Sequence, residues 1–283
     1  MPDGLQVGLL VVLGIGAAVA VGAQLWLAAR RSTPVPVLVL LGALLCVVYE
    51  PIGDMMVLAY YPEDGQVTWV HLFGRKIPLF IGLMYLCYIG PFVLLFDELH
   101  RRGFTTRTWW SLWAGTALAI IGIEITVMRF GAAWIYYGPQ RTVVADLPIW
   151  TPITYVSFLF VIAAGVHGLA RWLRPADRWV IIAAVPALLA GAHVFTSLPA
   201  AAALYSTGNP TLILAGALGS ILLAAVVSHT LSLFFVAPRP QPLRPQERRW
   251  REKKSSVRSH ASSAAASSYI DGASQLEKAW PAS

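Results

Sequence analysis

The chain has 283 residues, 57% of them hydrophobic and 12% charged, with a formal charge of +7 and a mean hydropathy of +0.64. Water-soluble domains carry roughly 25% charged residues to cover their surface, so soluble enzymes, disordered hubs and disulfide-stapled secreted modules are excluded at the outset. Cys46 and Cys87 both lie in apolar stretches and provide neither metal spacing nor a disulfide framework.

A helix needs about 20 apolar residues to cross a hydrocarbon core, and segments of that kind recur at 5–29, 35–60, 77–97, 109–131, 148–173, 179–203 and 210–236. A lone spanning segment satisfies its own backbone only as a helix. The expected fold class is therefore all-α, a seven-transmembrane-helix integral membrane bundle in the cell membrane. The first span has only Asp3 ahead of it and exceeds a signal-peptide core in length, so it is expected to be retained.

The second span carries Glu50 and Asp54, four residues apart and hence on one helical face. Pro51 and Gly53 lie among them, and a proline removes a backbone donor, so the helix is expected to bend there. The alternative is a span that ends near Glu50, leaving both acids at the interface. The connection that follows, YYPEDGQVTWVHLFGRK, contains Trp69, His71 and Arg75. The fourth span holds Glu124, with Arg129 further out, and the next connection supplies Trp134, Tyr136, Tyr137, Gln140, Asp146 and Trp150. Aromatic belts are common at membrane interfaces. Here they accompany donors and cations beside three acids that are costly in a bilayer, at about 2.5–3.5 kcal/mol each. A structural alternative pairs Glu124 or Glu50 with Arg129 or Arg75 to hold helices together.

His167, His193 and His229 fall in the fifth, sixth and seventh spans. His167 and His229 share an approximate depth at which they reach a metal or haem, although packing against a hydroxyl or carbonyl accounts for them more simply. All four lysines, Lys76, Lys253, Lys254 and Lys278, lie outside the spans, which excludes a retinal Schiff base. No pairing of halves of the kind seen in transporters is evident. After 236 the chain turns Pro/Arg-rich and then Ser/Ala-rich, the composition of a disordered basic tail over 237–283.

Basic residues concentrate in alternate connections: Arg30 and Arg31, then Arg101, Arg102 and Arg107, then Arg171, Arg174 and Arg178, then the tail. That bias predicts an outside N-terminus and an inside C-terminus, and it accounts for the net charge without nucleic acid.

The segment Glu50-Pro51-Ile52-Gly53-Asp54 resembles the acid-Pro-x-x-acid/amide motif of the AveC-type spirocyclase family of multi-pass membrane proteins. A second block is similar: Glu124, Met128, Gly131, Trp134, Tyr136 and Gly138, followed by Trp150 and Pro152. The connection after the first motif is shorter than in that family, and the Ser/Ala tail has no counterpart. The resemblance implies spiroketal-type closure of a hydroxyketone polyketide, a small apolar substrate, within the bilayer. The same chemistry follows from the residues, since desolvated carboxyls hold a proton near neutral pH and serve as general acids beside an ionised partner. On this reading Glu50, Asp54 and Glu124 are catalytic. Arg129, Arg75, Trp134, Tyr136, Tyr137, Gln140 and Trp150 bind substrate or orient charge. No metal or cofactor is required. Protonation-initiated cyclisation of a prenyl chain, a proton-coupled carrier and a non-catalytic scaffold are the alternatives.

Overall fold

The computed structural model describes residues 3–131, 133–206 and 208–236. The tail expected over 237–283 lies outside the described residues. Eight α-helices follow in order: α1 (Asp3–Arg31), α2 (Val35–Leu45), α3 (Glu50–Val57), α4 (Leu79–Arg101), α5 (Thr106–Gly131), α6 (Trp150–Trp172), α7 (Ile181–Ser206) and α8 (Pro210–Phe235). Six of them, α1 and α4 to α8, are long and apolar enough to cross a bilayer, as expected of a multi-pass membrane bundle. The segments Val35–Val48 and Glu50–Val57 meet that criterion only as a pair, bent by 55°.

The bend has a local cause. A 3₁₀ turn at Cys46–Val48 tightens the chain, and Pro51 supplies no N–H to the carbonyl one turn earlier. The Tyr49 carbonyl accepts from both Ile52 and Gly53, at 2.9 and 3.0 Å, and so starts the new helix axis. Leu58 then closes α3 in the left-handed conformation.

The chain is mostly helical, as expected of an all-α membrane bundle, with short strands only in its connections. At one end of the bundle the two long connections fold into short antiparallel ribbons. Strands β2 (Thr68–Leu72) and β3 (Arg75–Pro78) form a hairpin turned at Phe73 and Gly74, both with positive φ, the geometry that suits the twist of paired strands. Strands β5 (Val143–Val144) and β6 (Leu147–Pro148) turn at Ala145 and Asp146 in the same way. Strands β1 (Ala59–Tyr60) and β4 (Ile135–Tyr136) pair with each other and so tie the two connections together. Hydropathy does not register strands of two residues.

Helices α1, α4, α5 and α7 run past the expected boundaries, and for two of them the polar ends show why. Helix α4 continues to Arg101 because its polar end is paired: Arg31 reaches Asp97 at 3.0 Å, and Arg102 reaches Glu98 at 2.9 Å. Helix α5 begins at Thr106, where the Thr105 hydroxyl accepts from the Thr108 N–H at 3.1 Å.

Between apolar helices in lipid the attraction comes from close packing and hydrogen bonds across the interface. Helix α7 packs on α2, α6 and α8 through small residues: a Cβ at Gly42 of α2 would fall 2.7 Å from Val185 Cβ. The Ala200 N–H, beside Pro199, donates to Ser220 Oγ of α8 at 3.1 Å, and Ser157 Oγ of α6 donates to the Ala224 carbonyl at 3.2 Å. At the end away from the ribbons, Phe96, Phe104, Trp109, Phe160 and Phe235 form an aromatic cluster, and Trp109 Nε1 donates to Ser228 Oγ at 3.2 Å. Because Trp109 is fully buried, Trp109→Ala is expected to cost about 3 kcal/mol. A fall in the thermal unfolding midpoint of the purified protein in detergent checks this, with Trp109→Phe losing much less.

Candidate functional site

Below the ribbons the helices enclose a cavity of about 470 Å³. Its polar end is built from α3 and α5. Past the bend, Glu50 and Asp54 face the same side one turn apart, and Glu124 comes from the last turns of α5. All three line the cavity, with Asp54 at 6% exposure and Glu124 at 5%.

Each carboxyl has its own partners. The two oxygens of Glu50 accept from the hydroxyls of Tyr61 and Tyr85. Asp54 Oδ2 faces Arg75 Nη1 at 3.7 Å, and that guanidinium nitrogen also donates to the Ala59 carbonyl at 3.0 Å. Glu124 Oε2 accepts from the Tyr136 hydroxyl at 2.9 Å. The Tyr136 oxygen in turn lies 3.4 Å from the hydroxyls of Tyr155 and Thr151. Tyr61 and Tyr136 belong to the connections. Burial first, then the nearby carboxyl groups, pushes both phenols well above the ordinary tyrosine range, so they remain protonated donors.

His193 of α7 also reaches the cavity. Its Nδ1 lies 3.1 Å from the Tyr49 hydroxyl, and the Tyr155 ring packs edge-on at 5.3 Å between centroids. Among the described residues neither His193 Nε2 nor Asp54 Oδ2 has a hydrogen-bond partner, although both are buried. Such atoms in a cavity wall are places where a polar group of a substrate is held or a proton is exchanged.

Away from the acids the cavity is apolar and aromatic, with Met84, Tyr88, Phe92, Phe158 and Leu159 among its walls. It follows α5 from Glu124 to Ser111, thirteen residues or about 20 Å of helix. Ser111, Gly115, Ala119 and Ile123, at successive i+4 positions, line the cavity and are exposed. The chamber therefore has a lateral seam along α5.

Of the residues expected at the site, Glu50, Asp54, Glu124, Trp134 and Tyr136 line the cavity, and Arg75 adjoins it through Asp54. Four others do not. Arg129 is exposed and forms no ion pair among the described residues, because the α5 turn that aims Glu124 inward aims Arg129 outward. Tyr137 is 40% exposed and packs edge-on against Tyr60. Gln140 and Trp150 act as scaffold. The left-handed Leu58 leaves the last α3 carbonyls without helical partners, and Gln140 Nε2 donates to the Val57 carbonyl at 2.8 Å. The Tyr137 N–H donates to the Leu58 carbonyl at 2.8 Å, and Trp150 Nε1 donates to Gln140 Oε1 at 3.3 Å.

Sequence reasoning left Tyr49, Tyr61, Tyr85, Tyr88 and Tyr155 unassigned and gave His193 no definite role. A usable signal existed, since a tyrosine deep in an apolar span needs a partner for its hydroxyl. The other histidines sit elsewhere: His167 lies 3.6 Å from Asp97 and packs on His100, while His229 is exposed. Among the described residues no cluster of three or more His, Cys, Asp or Glu side chains has metal-ligand spacing.

Comparisons with protein families, curated proteins and solved structures return no match to this chain.

Because Gln140 bridges Val57 and Trp150, Gln140→Ala strands two polar groups, and a stability loss of about 1–3 kcal/mol is expected. Tyr137→Phe, at the exposed rim, should change stability by less than about 0.5 kcal/mol. Thermal unfolding of both variants in one detergent makes the comparison. Tyr61 and Tyr136 should not ionise at pH 10, the ordinary midpoint, as read from the ultraviolet difference spectrum of wild type against Tyr61→Phe and Tyr136→Phe.

Proposed function

We propose that the chain is a seven-span membrane cyclase, N-terminus outside and C-terminus inside, that closes rings on an apolar substrate by cofactor-free acid-base catalysis. The bent pair α2–α3 counts as the second span, and the basic connections face the cytoplasm. One observation carries the functional reading. Three carboxyl groups from two helices converge at the end of an apolar, aromatic chamber that opens sideways.

Spiroketal closure of a hydroxyketone suits this arrangement, and the likeness of the Glu50–Asp54 and Glu124–Trp150 blocks to AveC-type spirocyclases supports it. Glu124, bonded by a single phenol, delivers a proton to the ketone oxygen. A substrate hydroxyl attacks the carbonyl carbon, and its proton passes to Asp54, whose negative charge Arg75 stabilises. Asp54 then returns that proton to the hemiketal hydroxyl, which leaves as water, and a second hydroxyl adds to the resulting oxocarbenium carbon while its proton passes to Glu124 and restores the acid. One water leaves and nothing is oxidised or reduced. Glu50, held by two phenols, fixes the polar end of the chamber. Water exclusion strengthens each of these interactions.

A second reading, proton-initiated cyclisation of a prenyl chain, is favoured by the aromatic walls at Tyr88, Phe92, Trp134 and Phe158, whose faces stabilise developing positive charge. A carrier would titrate the same acids but needs access from both faces, and a scaffold would keep them permanently paired.

Membranes containing the protein, supplied with a panel of hydroxyketone and prenyl precursors and analysed by mass spectrometry, test the reading. Glu124→Gln and Asp54→Asn should each lower turnover by roughly 100-fold or more at unchanged abundance. Amide variants at Glu50, Asp54 and Glu124 that all convert substrate at the parent rate would sink the catalytic assignment, and loss of folded protein instead would favour the scaffold. Gly115→Trp, filling the seam, should raise KM about tenfold with kcat nearly unchanged, a cost of about 1.4 kcal/mol in substrate capture.

A further inference from the structure

A second cavity, of about 300 Å³, lies at the opposite, basic end of the bundle. The C-terminal parts of α1, α4 and α6 border it, together with the start of α2 and the 3₁₀ turn Pro175–Val180 ahead of α7. Four arginines line it, Arg31, Arg101, Arg171 and Arg178, against one carboxylate, Asp97. Asp97 is already engaged by Arg31 at 3.0 Å, Arg101 at 3.5 Å and His167 at 3.6 Å. Glu98, outside the lining, takes a further share of Arg31 at 3.8 Å and of Arg101 at 2.5 Å. Arg171 and Arg178 form no ion pair among the described residues, and Arg178 Nε is buried without a hydrogen-bond partner. The lining is thus left with an excess of guanidinium charge that nothing described neutralises.

The inner wall supplies a separate observation. Gln24 of α1 lines the same cavity, is fully buried, and neither its amide oxygen nor its amide nitrogen has a partner among the described residues. The amide fits only because position 90 on α4 is glycine: a Cβ there would fall 1.7 Å from Gln24 Nε2. An orphaned buried amide calls for a polar ligand or ordered water to satisfy it. Gln24 lies seven residues before Arg31, about 10 Å deeper along α1. The cavity therefore runs from a cationic rim to a neutral group that both donates and accepts. Thr33 and the positive end of the α2 dipole complete the rim.

We propose that this cavity is a binding site for a phosphate group, carried by an anionic phospholipid headgroup or free in solution. Guanidinium forks match phosphate oxygens in pairs, and Gln24 suits a hydroxyl or ester oxygen attached below the phosphate. The site is separate from the carboxyl chamber and does not depend on the reaction assigned there.

The test uses the full chain purified in a neutral maltoside detergent. In one arm, thermal unfolding is followed with inorganic phosphate against chloride at matched ionic strength. In the other, phosphatidylglycerol or a phosphate-free galactosyl diacylglycerol is added, and retained lipid is counted by native mass spectrometry. Wild type should retain phosphatidylglycerol over the galactolipid. The double variant Arg171→Gln/Arg178→Gln should bind it at least about tenfold more weakly, since each basic group near a phosphate surface contributes roughly fivefold. Gln24→Leu, which removes the orphaned amide while keeping the span apolar, should weaken retention as well. Arg174→Gln, outside the cavity, should not. Stabilisation by inorganic phosphate that the double variant loses shows that a free anion suffices, whereas phosphatidylglycerol retention without it assigns the site to a headgroup. Both outcomes support the proposal. It is overturned if phosphate and phosphatidylglycerol leave wild type unaffected, if the galactolipid is retained equally, or if the double variant and Gln24→Leu, each folded by its own unfolding midpoint, bind like wild type.

Discussion

A carboxyl group taken out of water must be met by donors or by charge, and in this bundle that requirement shapes the polar end of the chamber. Glu50 is met by two phenols, Asp54 by a guanidinium and Glu124 by one phenol. The cost of leaving any of them bare is several kcal/mol, so the elements that carry the partners are bound into one cooperative structure. Tyr61 follows β1, Arg75 opens β3, Tyr136 sits in β4 and Tyr85 in α4. Pairing of β1 with β4 delivers the first connection and the second to the same carboxyl cluster.

The bend between α2 and α3 supplies the other half of the arrangement. The 55° turn sets Glu50 and Asp54 on an axis distinct from that of α2, and both line the chamber together with Glu124 of α5 and His193 of α7. It also leaves the carbonyls at the end of α3 without helical partners, and Gln140 and the Tyr137 N–H meet them. The aromatic second connection is thus folded by the needs of the α3 backbone as much as by those of the acids.

The two cavities divide the polar chemistry of the bundle. Acids with phenol partners occupy the ribbon end, and an excess of guanidinium groups around Asp97 and Gln24 occupies the other. Between the two ends lie small-residue helix contacts through which α6, α7 and α8 approach closely, and the aromatic cluster shares the end away from the ribbons. Ser111, Gly115 and Ala119, four residues apart on α5, mark the side on which the chamber opens.

The lipid-compatible helices, the two acids on one helical face and the break at Pro51 were legible in the sequence, because they rest on span length, a four-residue period and a missing N–H, all local properties. The ribbons were not, since strands of two to five residues are too short for hydropathy to mark. Nor was the division of labour among the aromatic and cationic residues. Arg129 looked like a partner for Glu124 from spacing alone, yet five residues of helix turn it to the opposite side. Gln140 and Trp150 looked like pocket residues and serve the backbone of α3 instead. The contacts that define the chamber join residues 35 positions apart, as Glu50 and Tyr85 are, or 144 apart, as Tyr49 and His193 are. The sequence by itself determined which segments are long and apolar enough to cross a bilayer and which acids they carry. Only the tertiary structure decided which phenol, imidazole or guanidinium meets each acid, because those partnerships depend on the packing of helices that no local period encodes.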